Sequence, residues 1–177
     1  MKIITAALIS MAMTGTVFAA EQPVQKINAS MPAGQVDKAT FVKMVSSSNK
    51  FEIDSSKLAV DKAASAEVKA FAEQMIADHT KAGEEFMATL EKEGQEPPAA
   101  ELTPKHGEQL KHLEGTGNQD FDATYVSLQE AAHVEAVDLF RTYAKKPDDP
   151  ALGEFAKKTL PTLEMHLEHV KKLAKAK

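Results

Sequence analysis

Four long segments of this chain carry apolar residues at alternating spacings of three and four, and this pattern constrains the fold more than any other feature. Because an α-helix turns through about 100° per residue, the spacing places these side chains on one face. The pattern predicts helices over residues 38–62, 65–93, 120–145 and from 149 to the C-terminal end. Helices with a single apolar face bury that face against one another, so the sequence predicts an all-α bundle.

The connections between the predicted helices indicate the topology. The first and second helices, and the third and fourth, are separated by only a few residues, which predicts two antiparallel hairpins. The middle connection, residues 94–119, is much longer and predicts a short helix near residues 105–113. It can cross the whole bundle, so we expect a ferritin-like four-helix bundle with one long crossover. An up-and-down bundle with a long loop is the alternative.

The N-terminal residues have the pattern of a secretory signal peptide. Lys2 precedes an apolar stretch, Ile3–Phe18, which ends in the small residues Ala19 and Ala20. The stretch is too short for a membrane anchor. We therefore expect cleavage after Ala19 or Ala20, a periplasmic location and no stable membrane insertion after cleavage.

The rest of the chain divides simply. Residues 21–37 contain prolines and scattered polar residues without periodicity, which predicts a flexible leader. Residues 38–177 are enough for one compact domain with a sizeable core.

The sequence has no cysteine, so an exported form has no disulfide and depends on packing or on a bound ion. Its formal net charge of −5 at pH 7 argues against nucleic acid as a partner.

The main chemical clue is a set of polar residues on the apolar faces. Each predicted helix has one such residue near the middle of its apolar face, namely Glu52, His79, His133 and His166. Polar groups buried in a bundle core must find partners or bind something that satisfies them. The predicted connections bring the four residues to similar levels along the bundle, which favours one shared site.

Glu130 is a further candidate ligand, because it lies three residues before His133 and on the same side of the helix. A di-iron bundle would carry Glu-x-x-His twice, but Ile76 and Leu163 stand three residues before the other two histidines. The set Glu52, His79, Glu130, His133 and His166 is therefore better suited to one zinc, copper or iron ion.

A metal-free reading of the same residues stays open. The imidazoles can hydrogen-bond to neighbouring polar side chains such as Ser48, Ser55, Gln129 and Thr162 without any ion. We expect Asp78 to be a solvated acid, with orientation of a histidine as the alternative. In the long connection, we expect His106 and His112 to be exposed.

Several stretches resemble a bacterial exported family known as domain of unknown function 4142, often labelled a predicted outer-membrane protein. The stretches are NKFEIDSSKLA at 49–59, VKAFAEQMIADHTKAGEEF at 68–86, FDATYVSLQEAAHVEAVDLFRTYA at 121–144 and FAKKTLPTLEMHLEHVKKL at 155–173. The resemblance implies a ferritin-like fold and an exported location, and it implies no established activity.

Three functions fit these observations. The first is metal binding with a metal-handling or stress-related role in the cell envelope. The second is an iron-dependent oxidoreductase acting on dioxygen or peroxide, which the fold permits by analogy. The third is a metal-free structural or interaction module with an envelope protein or a second copy of the chain as partner, in which the polar core fixes helix register.

Overall fold

The structure is a computed structural model that describes residues 36–99 and 101–176. Five helices lie within these residues. They are α1 (Lys38–Lys62), α2 (Ala66–Lys92), α3 (Pro104–Gly115), α4 (Asn118–Lys145) and α5 (Pro150–Lys175). The predicted helix bounds agree with these to within about two residues. The predicted signal peptide, residues 1–20, and nearly all of the predicted leader lie outside the described residues.

Polar side chains fix where four of the helices begin. The side chains of Asp37, Ser65, Thr103 and Asp149 each accept a hydrogen bond from a backbone N–H in the first turn of the helix that follows. These amides have no partner within their own helix, so each cap stabilises a helix start by about 1 kcal/mol. The sequence therefore encodes the register at which each helix enters the bundle.

Contacts at the two ends of the bundle establish its topology. At one end, Phe41 at the start of α1 stacks on Tyr143 near the end of α4, with ring centroids 4.0 Å apart. At the other end, the backbone N–H groups of Ala64 and Ser65 donate to Asp122 near the start of α4. Helix α1 is thus antiparallel to α4, and α2 runs parallel to α4. The connection from α2 to α4 must cross the bundle, which confirms the two predicted hairpins and the long crossover.

The short helix of the crossover, α3, packs against α1 and α4. His106 on α3 is only 3% exposed, so the expectation that it faces solvent is wrong. Its Nδ1 lies 2.7 Å from the hydroxyl of Ser47, and its ring stacks on Phe51 of α1. The ring has an apolar face and a polar edge, and α1 supplies a partner for each. His112 is exposed, as expected.

A layer of polar residues divides the core in two. One apolar cluster lies at the end of the bundle where α1 begins, and includes Phe41, Phe86, Phe140 and Phe155. The other lies at the end where α1 finishes, and includes Phe71, Met75, Phe121 and Tyr125. Between them in every bundle helix lie buried polar side chains, namely Glu52, Ser55, His79, Gln129, His133 and His166. The candidate site is therefore a cross-section through the middle of the bundle.

Within the described part of the chain, none of the helices is both long and apolar enough to cross a membrane.

Candidate metal centre

Three histidines from three helices meet in the middle of this polar layer. His79, His133 and His166 are 6%, 0% and 1% exposed. Their ring centroids are 5.5–5.7 Å apart in all three pairs. One ring nitrogen of each lies within 4.8 Å of a ring nitrogen of the other two. These side chains therefore meet at the position along the bundle axis that the lengths of the helices and connections predicted.

Hydrogen bonds on the outer side of two rings fix which nitrogen carries the proton. His133 Nδ1 is 2.9 Å from the carbonyl oxygen of Gln129. A carbonyl only accepts, so this nitrogen must be the N–H donor, and Nε2 keeps a free lone pair. His79 Nδ1 likewise lies 3.1 Å from the amide oxygen of Asn49, which leaves its Nε2 unprotonated.

The third ring is held by a carboxylate. His166 Nε2 lies 2.9 Å from Asp78 Oδ2, so it donates to the acid and its Nδ1 keeps the lone pair. Asp78 is about one-third exposed, but the expectation of a merely solvated acid is wrong because it orients a histidine. A carboxylate on the outer nitrogen of a histidine is the usual support of a metal ligand, since it fixes the ring and raises its basicity.

The three inner nitrogens are the unusual feature of the site. His79 Nε2, His133 Nε2 and His166 Nδ1 are buried, and no described residue gives any of them a hydrogen bond. In a tetrahedral site with metal–nitrogen bonds of 2.0–2.1 Å, nitrogens lie about 3.3 Å apart. The donor atoms of the three rings lie within 4.8 Å of one another, so binding an ion requires them to move closer together.

Burial keeps the imidazoles in the form that binds metal. It lowers the pKa of His79 well below its usual value, an effect that the neighbouring His133 and His166 increase. Burial also lowers the pKa of His133 to about 4. The pKa of His166 falls for the same reason, although its hydrogen bond to Asp78 opposes the change. All three are therefore neutral at pH 7, and no proton competes for the lone pairs.

The structure places Glu52 beside the three donors rather than among them. Its side chain is 1% exposed, and Oε1 lies 3.8 Å from His133 Nδ1, on the outer side of that ring. Among the described residues, neither of its oxygens has a hydrogen-bond partner. Burial raises the pKa of Glu52 to about 8, so the group is mainly an uncharged acid at neutral pH.

Glu130 is partly buried and also lies outside the group of donor atoms. The structure thus brings together three of the five predicted ligands, His79, His133 and His166. The complete ligand set stays a prediction.

Sequence reasoning missed Asn49, which holds the ring of His79. Gly83 of α2 leaves room for the amide of Asn49, because a Cβ on that glycine would lie 2.8 Å from Asn49 Nδ2. Asn49 lies only three residues before Glu52, on the same side of the helix. That spacing was the available signal, although the glycine opposite it cannot be recognised from the sequence.

Two solved structures share the fold. The structure described as "CopM in the Cu(II)-bound form" aligns with a TM-score of 0.68 and 19% identity, over 81% of this chain and 99% of that chain. A DUF305 fragment from Deinococcus radiodurans aligns with a TM-score of 0.63 and 14% identity, over 77% of this chain and 96% of that chain. At these identities the likeness concerns the fold alone. No curated protein sequence matches the chain.

The family resemblance noted in the sequence is confirmed. The model of the family described as "Domain of unknown function (DUF4142)" matches residues 22–173, which is most of the chain. The match includes α1, α2, α3 and α4 and nearly all of α5, and therefore every residue of the histidine cluster. The chain belongs to the DUF4142 family.

Proposed function

We propose that this protein binds one divalent transition-metal ion through His79 Nε2, His133 Nε2 and His166 Nδ1, and that it handles such an ion in the bacterial cell envelope. The observation that carries the proposal is the set of three buried lone pairs without hydrogen-bond partners among the described residues. Each ring is already held through its other nitrogen. A bound cation would satisfy all three lone pairs at once.

A metal-free hydrogen-bond network explains these contacts less well. Two of the side chains that could donate to the imidazoles, Ser55 and Gln129, donate elsewhere. Ser55 donates to the carbonyl oxygen of Phe51, and the amide of Gln129 donates to Ser55. A structural network would pair the inner nitrogens with donors, because an unsatisfied buried acceptor costs about 1–3 kcal/mol.

The donor atoms restrict the metal. Three imidazole nitrogens suit zinc, copper and iron, whereas magnesium and calcium prefer oxygen ligands. Of these three, copper is the first to test, since one protein of the same fold is described in a Cu(II)-bound form. Three protein ligands also leave one position of a four-coordinate ion open to another molecule.

Metal titration of the untagged protein tests the proposal. We expect one equivalent of Cu(II) or Zn(II) to bind and to raise the melting temperature, and a chelator to reverse the shift. A ligand at 100 times its dissociation constant stabilises the folded state by about 2.7 kcal/mol. Titrations without a one-to-one end point, or without stabilisation, would contradict it.

Export belongs to the same proposal. The signal-peptide pattern of residues 1–20 supports it. We expect the protein in the periplasmic fraction of the bacterium, with a mature N-terminus at Ala20 or Glu21. Fractionation followed by N-terminal sequencing measures both, and a chain that still begins at Met1 would contradict export with cleavage.

An iron-dependent oxidoreductase is the second candidate, and the open coordination position supports it. Oxygen or peroxide should then be consumed when the ferrous form is mixed with either. The absence of a carboxylate from the group of donor atoms in the described residues weighs against a di-iron centre.

Gly83→Ala should weaken metal binding without removing any ligand. The new methyl group would displace the amide of Asn49, and His79 would lose the hydrogen bond that orients its ring. Loss of such a supporting contact lowers metal affinity by about 10-fold or more. Competition titration with a zinc chelator measures the change.

Gly107→Ala is the matched control for Gly83→Ala. It adds the same methyl group within α3, where a Cβ meets nothing within 4 Å. We expect unchanged metal affinity in this variant. Equal affinities for Gly83→Ala and Gly107→Ala would show that Asn49 does not support the site.

A further inference from the structure

A cavity of about 320 Å³ lies beside the histidine cluster, and residues from all four helices of the bundle line it. Its inner walls are apolar and include Phe86, Phe140, Phe155 and Leu163. These side chains are buried, so the cavity reaches into the core. Pockets between the helices of a bundle are a common location for small-molecule sites, which begin at about 300 Å³.

Most of the polar residues that line the cavity, and both of the charged ones, lie on α1. Lys50 and Asp54 line it there, are partly exposed and form an ion pair of 2.7 Å with each other. Because their charges are paired, they mark an entrance and leave no free charge to bind an ionic ligand. The interior therefore favours an uncharged molecule, since burying an unpaired charge is costly.

His79 connects this cavity with the histidine cluster. Its ring lines the cavity and also provides one of the three inner nitrogens. Asn49, which holds that ring, lines the cavity too. A molecule in the cavity would thus lie against a side chain that we assign to the metal.

We propose that the cavity is a binding site for a small, mainly apolar molecule, one or two rings in size, whose single nitrogen or sulfur donor takes the open position of the metal. The donor part of this proposal rests on the proposed function. The size follows from the volume, because an apolar cavity of about 150 Å³ already holds benzene. The apolar character follows from the walls, and the donor end from the shared ring of His79.

Two probes of the same shape test the proposal, namely toluene, which has no donor atom, and 4-methylpyridine, which has one nitrogen donor. Their dissociation constants can be measured by NMR titration with the metal-free and the Zn(II)-loaded protein. We expect both probes to bind the metal-free protein with similar affinity. Zinc should then tighten 4-methylpyridine by about 10-fold or more and leave toluene unchanged.

Two phenylalanine substitutions on α2 locate the binding. Ala82 lines the cavity, and Ala82→Phe should fill it and abolish binding of both probes. Ala77 is exposed on the same helix and does not line the cavity, so Ala77→Phe should bind as the wild type does. Circular dichroism checks that both variants fold, and Ala82→Leu replaces Ala82→Phe if the larger side chain prevents folding.

The outcomes separate this proposal from the proposed function. The cavity site would be overturned, whether or not metal binds, if toluene failed to bind the wild-type protein. It would also be overturned if toluene bound Ala82→Phe as tightly as the wild type. Toluene binding with no effect of bound zinc on 4-methylpyridine would overturn the donor contact. Failure of both Zn(II) and Cu(II) to bind would refute the metal site and the donor contact together, while toluene would still report on the cavity.

Discussion

Replacing His133 with alanine should lower the affinity of the protein for Zn(II) or Cu(II) by more than about 100-fold. Loss of a hydrogen bond that only supports a ligand lowers metal affinity by about 10- to 100-fold, and His133 is itself a proposed ligand. His133 is fully buried, and the carbonyl oxygen of Gln129 fixes its ring with Nε2 toward the other two imidazoles. Without it, two ligands remain, and water must fill the vacated position. Competition titration against a chelator of known affinity measures the loss.

His112→Ala is the control for this result. His112 is also an imidazole, but it is exposed on α3 and lies outside the cluster. We expect its removal to leave stoichiometry and affinity unchanged. Comparing the melting temperatures of the metal-free proteins separates loss of a ligand from loss of the fold. If His133→Ala bound one equivalent of metal as tightly as His112→Ala, the assigned site would be wrong.

The second large effect is on the pH dependence of stability in the metal-free protein. Glu52 has a pKa near 4.5 when unfolded and about 8 when buried. The stability that this group contributes is therefore complete below pH 4.5 and is lost as the pH rises toward 8. Above about pH 6.5, the loss amounts to about 1.4 kcal/mol per pH unit, or about 2 kcal/mol by pH 8.

The histidines act in the opposite direction. Their pKa values are lower in the folded protein than in the unfolded chain, so each contributes stability that is complete above about pH 6.5 and is lost as the pH falls. As the pH falls below 6.5, the stability lost through the three histidines exceeds the stability gained through Glu52. We therefore expect the metal-free protein to be most stable near pH 6.5.

Glu52→Gln isolates the alkaline part of this profile. The amide has nearly the same shape and does not ionise, so the free energy of unfolding should no longer fall between pH 6.5 and pH 8. Urea unfolding in the presence of a chelator measures it at both pH values. Glu73→Gln, on the exposed side of α2, is the control and should keep the wild-type decrease. A decrease of equal size in Glu52→Gln would assign the effect to another group.

Much of the fold could be predicted because its determinants are local. The apolar spacing of three and four residues predicted the helices, and the side chains that cap them, such as Ser65 and Asp149, stand next to the residues that they cap. The lengths of the connections were enough to place His79, His133 and His166 at one level. Periodicity fixes which face of a helix is buried, and chain length fixes how far along it a residue lies.

The details of the site depend on rotation about each helix axis, which the sequence does not specify closely enough. Glu130 lies three residues before His133, and this spacing leaves it about 60° away around the helix. Both residues can face one point only when the helix is rotated so that the centre of the bundle lies between them; here His133 belongs to the cluster and Glu130 lies outside it. The support of His79 by Asn49 and of His166 by Asp78 likewise depends on contacts between helices.

The polar layer also connects binding with stability. Two apolar clusters support the bundle on either side of the buried imidazoles and Glu52. A metal would satisfy the three lone pairs, and its charge would also lower the pKa of the nearby carboxyl of Glu52. Metal binding near pH 7 should therefore release the proton of Glu52. It should also reduce the decrease in the free energy of unfolding between pH 6.5 and pH 8.

X-ray absorption spectroscopy of the zinc-loaded protein tests the central claim most directly, because it reports the atoms bonded to the ion. We expect nitrogen donors at about 2.0–2.1 Å, with outer-shell scattering from three imidazole rings and room for one further light-atom ligand. A first shell of oxygen atoms with one imidazole or none would contradict a site formed by His79, His133 and His166.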